Sequence, residues 1–184
     1  MKPVGPLMIE HRLIERMVRL LKKELDMIDV GKKVDAVFIS AAVDFFRTYA
    51  DRTHHGKEED ILFRELAKKP LTDEHKKIME ELLEEHILAR KNVKGLHEAN
   101  ERYSKGDVKA ADEIKNFLKT LTNLYPLHIK KEDRRFFIPI LEYFSKDEQE
   151  KMLKEFYEFD RKMIHERYAK SVERYEKEKY NEHV

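Results

Sequence analysis

The chain has no cysteine and no tryptophan. Without cysteine there are no disulfides and no thiolate metal sites, and a reducing interior is compatible. Net charge is nearly absent too: 38 Lys and Arg stand against 37 Asp and Glu. With no basic field to draw them, neither nucleic acid nor an anionic membrane is an expected partner. Long apolar runs are missing, and none approaches a membrane span. The N-terminal stretch MKPVGPLMIEHRLIERM meets Glu10, His11 and Arg12 before a signal peptide could form. A cytoplasmic location is expected. No Gly-rich phosphate loop, no Ser or Cys nucleophile motif and no carboxylate pair suited to sugar chemistry can be found.

Only five glycines and five prolines interrupt 184 residues, and 41% of the residues are charged. That share fits a heat-adapted protein rich in ion pairs, and equally a set of long helices with solvated faces. Leu, Glu, Lys, Ala and Met are abundant, and apolar residues recur at three and four. The expected fold is all-α: an up-down-up-down four-helix bundle over residues 1–144, with an extra C-terminal helix over 145–184. The first helix is expected from about Leu7 to Met27, stopping near Gly31. The second runs from Val34 to Lys69, with Pro70 as its stop. The third starts behind Thr72 as N-cap and fades near Gly106. The fourth runs from Val108 towards Phe144, kinked at Pro126. The fifth opens at Ser145, where Glu148 completes a capping box, and runs towards Tyr180 with a frayed polar end.

One stretch occurs twice. HHGKEEDILF from residue 54 returns as HIKKEDRRFF from residue 128. His54 aligns with His128, Glu58 with Glu132, Glu59 with Asp133 and Phe63 with Phe137. Each half also carries an earlier Glu-His pair, Glu10-His11 and Glu85-His86, at nearly the same distance upstream. The chain therefore reads as two copies of a helical hairpin, with a histidine on the first helix and HxxxE on the second. On a helix, residues i and i+4 lie one above the other, roughly 6 Å apart. His54 and Glu58 point the same way, as do His128 and Glu132. Two hairpins packed with pseudo-twofold symmetry can bring four histidines and two glutamates to one centre. Nitrogen and carboxylate donors without sulfur suit iron, manganese or zinc. Six such groups in a core are costly unless cations hold them.

The pattern EH…HxxxEE…EH…HxxxE resembles the hemerythrin-like, or HHE cation-binding, proteins, over about residues 7 to 144. The stretch MIHERYAKSVERYE is similar to the C-terminal helix of one bacterial and archaeal branch. The resemblance implies a four-helix bundle with a non-haem di-iron centre. His11 and His54 would hold one iron, His86 and His128 the other, and Glu58 and Glu132 would bridge. Two departures stand out. Where the oxygen carriers have a further histidine, one turn after the third-helix ligand, this chain has Arg90. Its fourth-helix carboxylate is a glutamate at i+4, not an aspartate at i+5. The first turns the reading from reversible oxygen carriage towards binding or sensing oxygen, nitric oxide or peroxide. The alternatives are a di-iron oxidoreductase, an iron-handling or iron-sensing regulator, and a bundle with a structural zinc pair.

Several further residues sit near these positions. Glu15, one turn after His11, reads as an extra ligand or as a surface partner of Arg12 or Arg19. Arg90 could pair with Glu58 or Glu132, or lie in solvent. His55 is about 100° round the helix from His54 and reads as a contact to the fifth helix or a support for the site. Tyr125, about one turn before His128, reads as core or as a hydrogen-bond donor near the metals. His165, midway along the fifth helix, reads as an exposed residue, or as a late ligand or gate if that helix folds back. His75 and His97 each lie three turns from His86, about 16 Å along the axis, too far to share its ion.

Overall fold

The computed structural model describes the backbone of residues 2–31 and 33–180 and side chains as far as Met163. It contains five helices and no strand among the described residues. Helix α1 spans Val4–Asp29, α2 residues 36–66, α3 Asp73–Ser104, α4 residues 110–140 and α5 Lys146–Tyr180. The first four form the up-down-up-down bundle and α5 is the additional C-terminal helix. No helix among the described residues is long and apolar enough to cross a membrane.

The helix ends follow local chemistry. Gly31 (φ +84°) and Gly106 (φ +100°) close α1 and α3 in the left-handed conformation that favours glycine. Asp35 caps α2 by accepting from the Phe38 amide, and Thr72 caps α3 by accepting from the His75 amide. The Ser145–Glu148 capping box is present in both directions: the Glu148 amide donates to Ser145 Oγ, and the Ser145 amide donates to Glu148 Oε2. Pro126 lies within α4 without ending it.

Packing places a polar layer between two apolar ones. The buried face of α1 is Val4, Leu7, His11, Ile14, Val18, Leu21, Leu25 and Ile28. These alternate at three and four, the seam of a coiled-coil-like bundle, with His11 in one of its seats. His86 interrupts the stripe of α3 and His128 that of α4 in the same way. One core cluster holds Ile14, Ala50, Ala89 and Tyr125; the other holds Leu7, Ile61, Leu82 and Phe136. On each of the four bundle helices the buried histidines and glutamates fall between those two sets. Met152 and Phe156 of α5 are buried in the second cluster. Beside them Gly56 lets α5 come close, since a Cβ there would sit 2.7 Å from the Phe159 ring.

Three helical segments are widened to π geometry: Phe46–His55, Glu58–Phe63 and Glu132–Phe136. His54 and His55 end the first, Glu58 opens the second and Glu132 opens the third. Such widened turns gather at functional sites because they re-aim side chains without breaking the helix.

Candidate metal centre

Seven titratable side chains meet in the polar layer, all buried: His11, His54, His55, Glu58, His86, His128 and Glu132. They form two groups able to hold a metal ion. One is His11, His54, Glu58 and Glu132; the other is His55, Glu58, His86 and His128. Within each group the donor atoms lie within 4.8 Å of one another. Glu58 belongs to both groups. Its Oε1 is 3.3 Å from His54 Nε2 and its Oε2 is 3.4 Å from His86 Nε2. Glu132 Oε2 likewise reaches across, 3.1 Å from His11 Nε2 and 3.3 Å from His128 Nε2. The Nε2 atoms of His86 and His128 stand 3.2 Å apart, aimed at one point.

Four of the five imidazoles are oriented by a carboxylate on Nδ1. His54 donates to Glu10 at 2.8 Å, His128 to Glu85 at 2.8 Å, His11 to Asp133 at 2.7 Å and His86 to Glu59 at 2.6 Å. A carboxylate can only accept, so Nδ1 keeps its proton and Nε2 is the nitrogen turned inward to meet a cation. The sequence places these partners by a simple rule. The Glu before each first-helix histidine serves the second helix of its own hairpin. The acid after each central glutamate serves the first helix of the other.

Each of these carboxylates in turn meets a cation. Lys57, fully buried, contacts Glu10 and lies 2.7 Å from Asp160 of α5. Lys131, its counterpart in the repeat, contacts Glu85 at 2.7 Å and Glu81 at 2.9 Å. Arg12 contacts Asp133, and Arg90 contacts Glu59 at 2.7 Å and Asp51 at 2.7 Å.

Inside this ring the donors lack partners. His11 Nε2, His54 Nε2 and both oxygens of Glu58 and of Glu132 have no hydrogen bond. Each such orphan costs about 1–3 kcal/mol if nothing fills it. The electrostatics reflects the same crowding of donors. Burial alone would lower the His54 pKa, but Glu58 and Glu10 outweigh it and push it up to about 9. Burial would raise Glu58, yet the surrounding imidazoles hold it far below the ordinary carboxylate range. Glu132 is pushed well above that range by burial and by the neighbouring charge of Glu58. Burial, then His86, drives His55 well down, keeping it neutral. Protons thus occupy positions that a cation suits better. Orphaned nitrogen and oxygen donors, oriented tautomers and the absence of sulfur all fit a divalent metal.

A family model, the hemerythrin HHE cation binding domain, matches residues 3–140. The chain belongs to this family. No curated protein matches it, and no solved structure does. The HHE domain therefore accounts for the bundle, and α5 lies beyond the matched residues.

The structure brings His11, His54, Glu58, His86, His128 and Glu132 together. Of the two readings of His55, the one beside the site fits: the side chain stacks on His86 at 3.8 Å between ring centroids and joins the second donor group. The reason is bundle geometry. A helix in a four-helix bundle has two neighbours at about 90° to each other, close to the 100° between adjacent residues. His54 faces α1 while His55 faces α3. Arg90 pairs with Asp51 and Glu59, not with Glu58 or Glu132. Glu15 is in neither group and lies 3.2 Å from Arg12 at the surface. Tyr125 is buried against Phe46 and His55. His75 bonds the Tyr143 hydroxyl instead. The reading of His165 falls outside the described side chains. What sequence reasoning passed over was the supporting ring of Glu10, Lys57, Glu59, Glu85, Lys131 and Asp133, although most of it repeats at the same offsets as the central donors.

Lys57 carries a testable consequence. In Lys57→Met, Glu10 and Asp160 lose their shared cation. Removing one partner of a sealed ion pair costs about 3–5 kcal/mol, and partial exposure of Asp160 reduces this to about 2–3 kcal/mol. Lys131→Met should cost less, because Lys131 and Glu81 are more exposed. Urea unfolding of both variants checks the order; a larger effect at Lys131 would refute it.

Proposed function

We propose that this HHE domain holds two iron ions and binds or senses oxygen or a related small molecule such as nitric oxide or peroxide. The observation that carries this reading is the pair of adjacent donor groups sharing Glu58. Two ions side by side need at least one carboxylate that reaches both, and Glu58 directs one oxygen to each group. His11, His54 and Glu132 complete one site; His55, His86 and His128 complete the other, with Glu132 also in reach of His128. Bound iron would supply redox capacity and open coordination for a small ligand. The chain itself fixes the imidazole tautomers through four carboxylates, and the apolar layers on either side keep water from the centre.

The groups are unequal. The residue after His128, in the place of His55, is Ile129. One site therefore has three imidazoles where the other has two, so the ions are expected to differ in affinity and spectrum. Metal analysis of protein purified without added metal, with absorption spectra before and after reduction and air exposure, tests the reading. Two irons per chain and a coloured oxidised form are expected. Zinc or manganese with no redox-dependent band would overturn iron and leave a structural or differently loaded metal pair.

A further inference from the structure

Beside the three-imidazole group lies a cavity of about 310 Å³ between α2 and α3. A water molecule occupies about 30 Å³ in the liquid, so this space is an order of magnitude larger than a diatomic ligand needs. It falls at the lower end of small-molecule sites. Phe46, Ala89, Val93 and Tyr125 make its apolar wall. His55 forms part of the lining, almost fully buried, with its Nδ1 3.4 Å from the Asp51 carboxylate and without a hydrogen bond of good geometry.

The charged residues lining the cavity are mostly of one sign. Arg47, Arg90 and Lys94 face a single carboxylate, Asp51. Arg90 is spent on Asp51 and Glu59. Asp51, one turn after Arg47, is thereby taken from it, and no carboxylate among the described residues pairs with Arg47. Among the described residues Lys94 has only Glu98, 3.8 Å away on the exposed face of α3. A neutral apolar ligand would leave these cations unused, and a bare inorganic anion would leave the apolar wall uncovered.

We propose that this cavity binds a small organic anion, its apolar body against Phe46, Val93 and Tyr125 and its charged head at Arg47 and Lys94. The ligand would lie next to His55 and so next to the metal centre. Only that functional link rests on the metal reading above; the binding does not.

The test is calorimetric titration of octanoate into the protein as purified, with its metal content measured in the same sample. Saturable one-to-one binding is expected. Octan-1-ol, with the body and no charge, and acetate, with the charge and no body, should each bind at least about tenfold more weakly, the effect of losing one good contact of about 1.4 kcal/mol. Arg47→Glu, a surface change that leaves the core intact, should weaken octanoate by a similar factor. Val93→Phe, which fills the cavity, should abolish binding. No saturable octanoate binding at millimolar concentration, or binding unchanged in Arg47→Glu, overturns the proposal. If octanoate binds through Arg47 in protein that carries no metal, the cavity stands and the metal reading falls. If metal is present and octanoate does not bind, the reverse holds.

Discussion

Glu58→Gln is expected to remove both ions from the protein, where His11→Ala or His86→Ala removes mainly one. Glu58 is the residue common to the two donor groups, and it sends Oε1 towards His54 and Oε2 towards His86. An amide keeps the shape but loses the charge, and its nitrogen offers no lone pair to a cation. Loss of an outer supporting partner alone costs roughly 10–100-fold in metal affinity, and loss of a shared inner donor should exceed that at both sites. Metal stoichiometry by elemental analysis decides it. Should Glu58→Gln retain one full equivalent, Glu58 serves one ion only and the paired centre is wrongly drawn. Glu132→Gln gives the contrast. Glu132 is a full member of the His11–His54 group and touches the other only through His128, so the ion between His55, His86 and His128 should survive better.

Much of this site was legible because the repeat doubled a weak signal. One HxxxE on a helix is common, but His54–Glu58 and His128–Glu132 at matched places, each behind a Glu-His pair, implied convergence. The helices were legible for a related reason: Thr72, Ser145, Gly31 and Gly106 punctuate a chain with few other breaks. The place of His55 among the donors was not legible. Its counterpart is Ile129, so the repeat gave no hint, and a view of one helix face placed it away from His54. Only the second neighbour of α2, which a single-helix reading omits, turns that angle into a contact with His86. The π-helical turns escaped for another reason, since no residue type marks them. The ion pairs of Arg90 depended on Asp51, a residue one turn ahead of His55 with no motif of its own.

The metal-free protein should lose stability as the pH rises, and the metal-loaded protein should hold it. In the metal-free chain His54 has its pKa raised from 6.5 to about 9, because Glu58 and Glu10 overcome the effect of burial. A group whose pKa rises on folding adds stability below its unfolded value and loses it as the pH climbs through the folded one. Stability from His54 is thus complete below pH 6.5 and gone above about 9, a difference on the order of 3 kcal/mol. Glu132, also raised, acts with the same sign: its contribution is complete below its unfolded value of 4.5 and declines as the pH rises through the raised one. Glu58, held low, loses its contribution only as the pH falls below 4.5, so it is constant across this window. Chelated protein should therefore melt at lower temperature as the pH is raised from 6.5 to 9. Loading cancels the trend, because a cation needs neutral His54 and ionised Glu132, the states these groups already have in the unfolded chain above pH 6.5, and must displace their protons from the metal-free fold. Each displaced proton makes apparent affinity rise about tenfold per pH unit below its pKa. Thermal melts with and without chelator, joined to proton release in weak buffer on adding ferrous ion, measure both limbs. Parallel pH trends for the two forms, or loading without proton release, would mean that His54 and Glu132 do not face the ion.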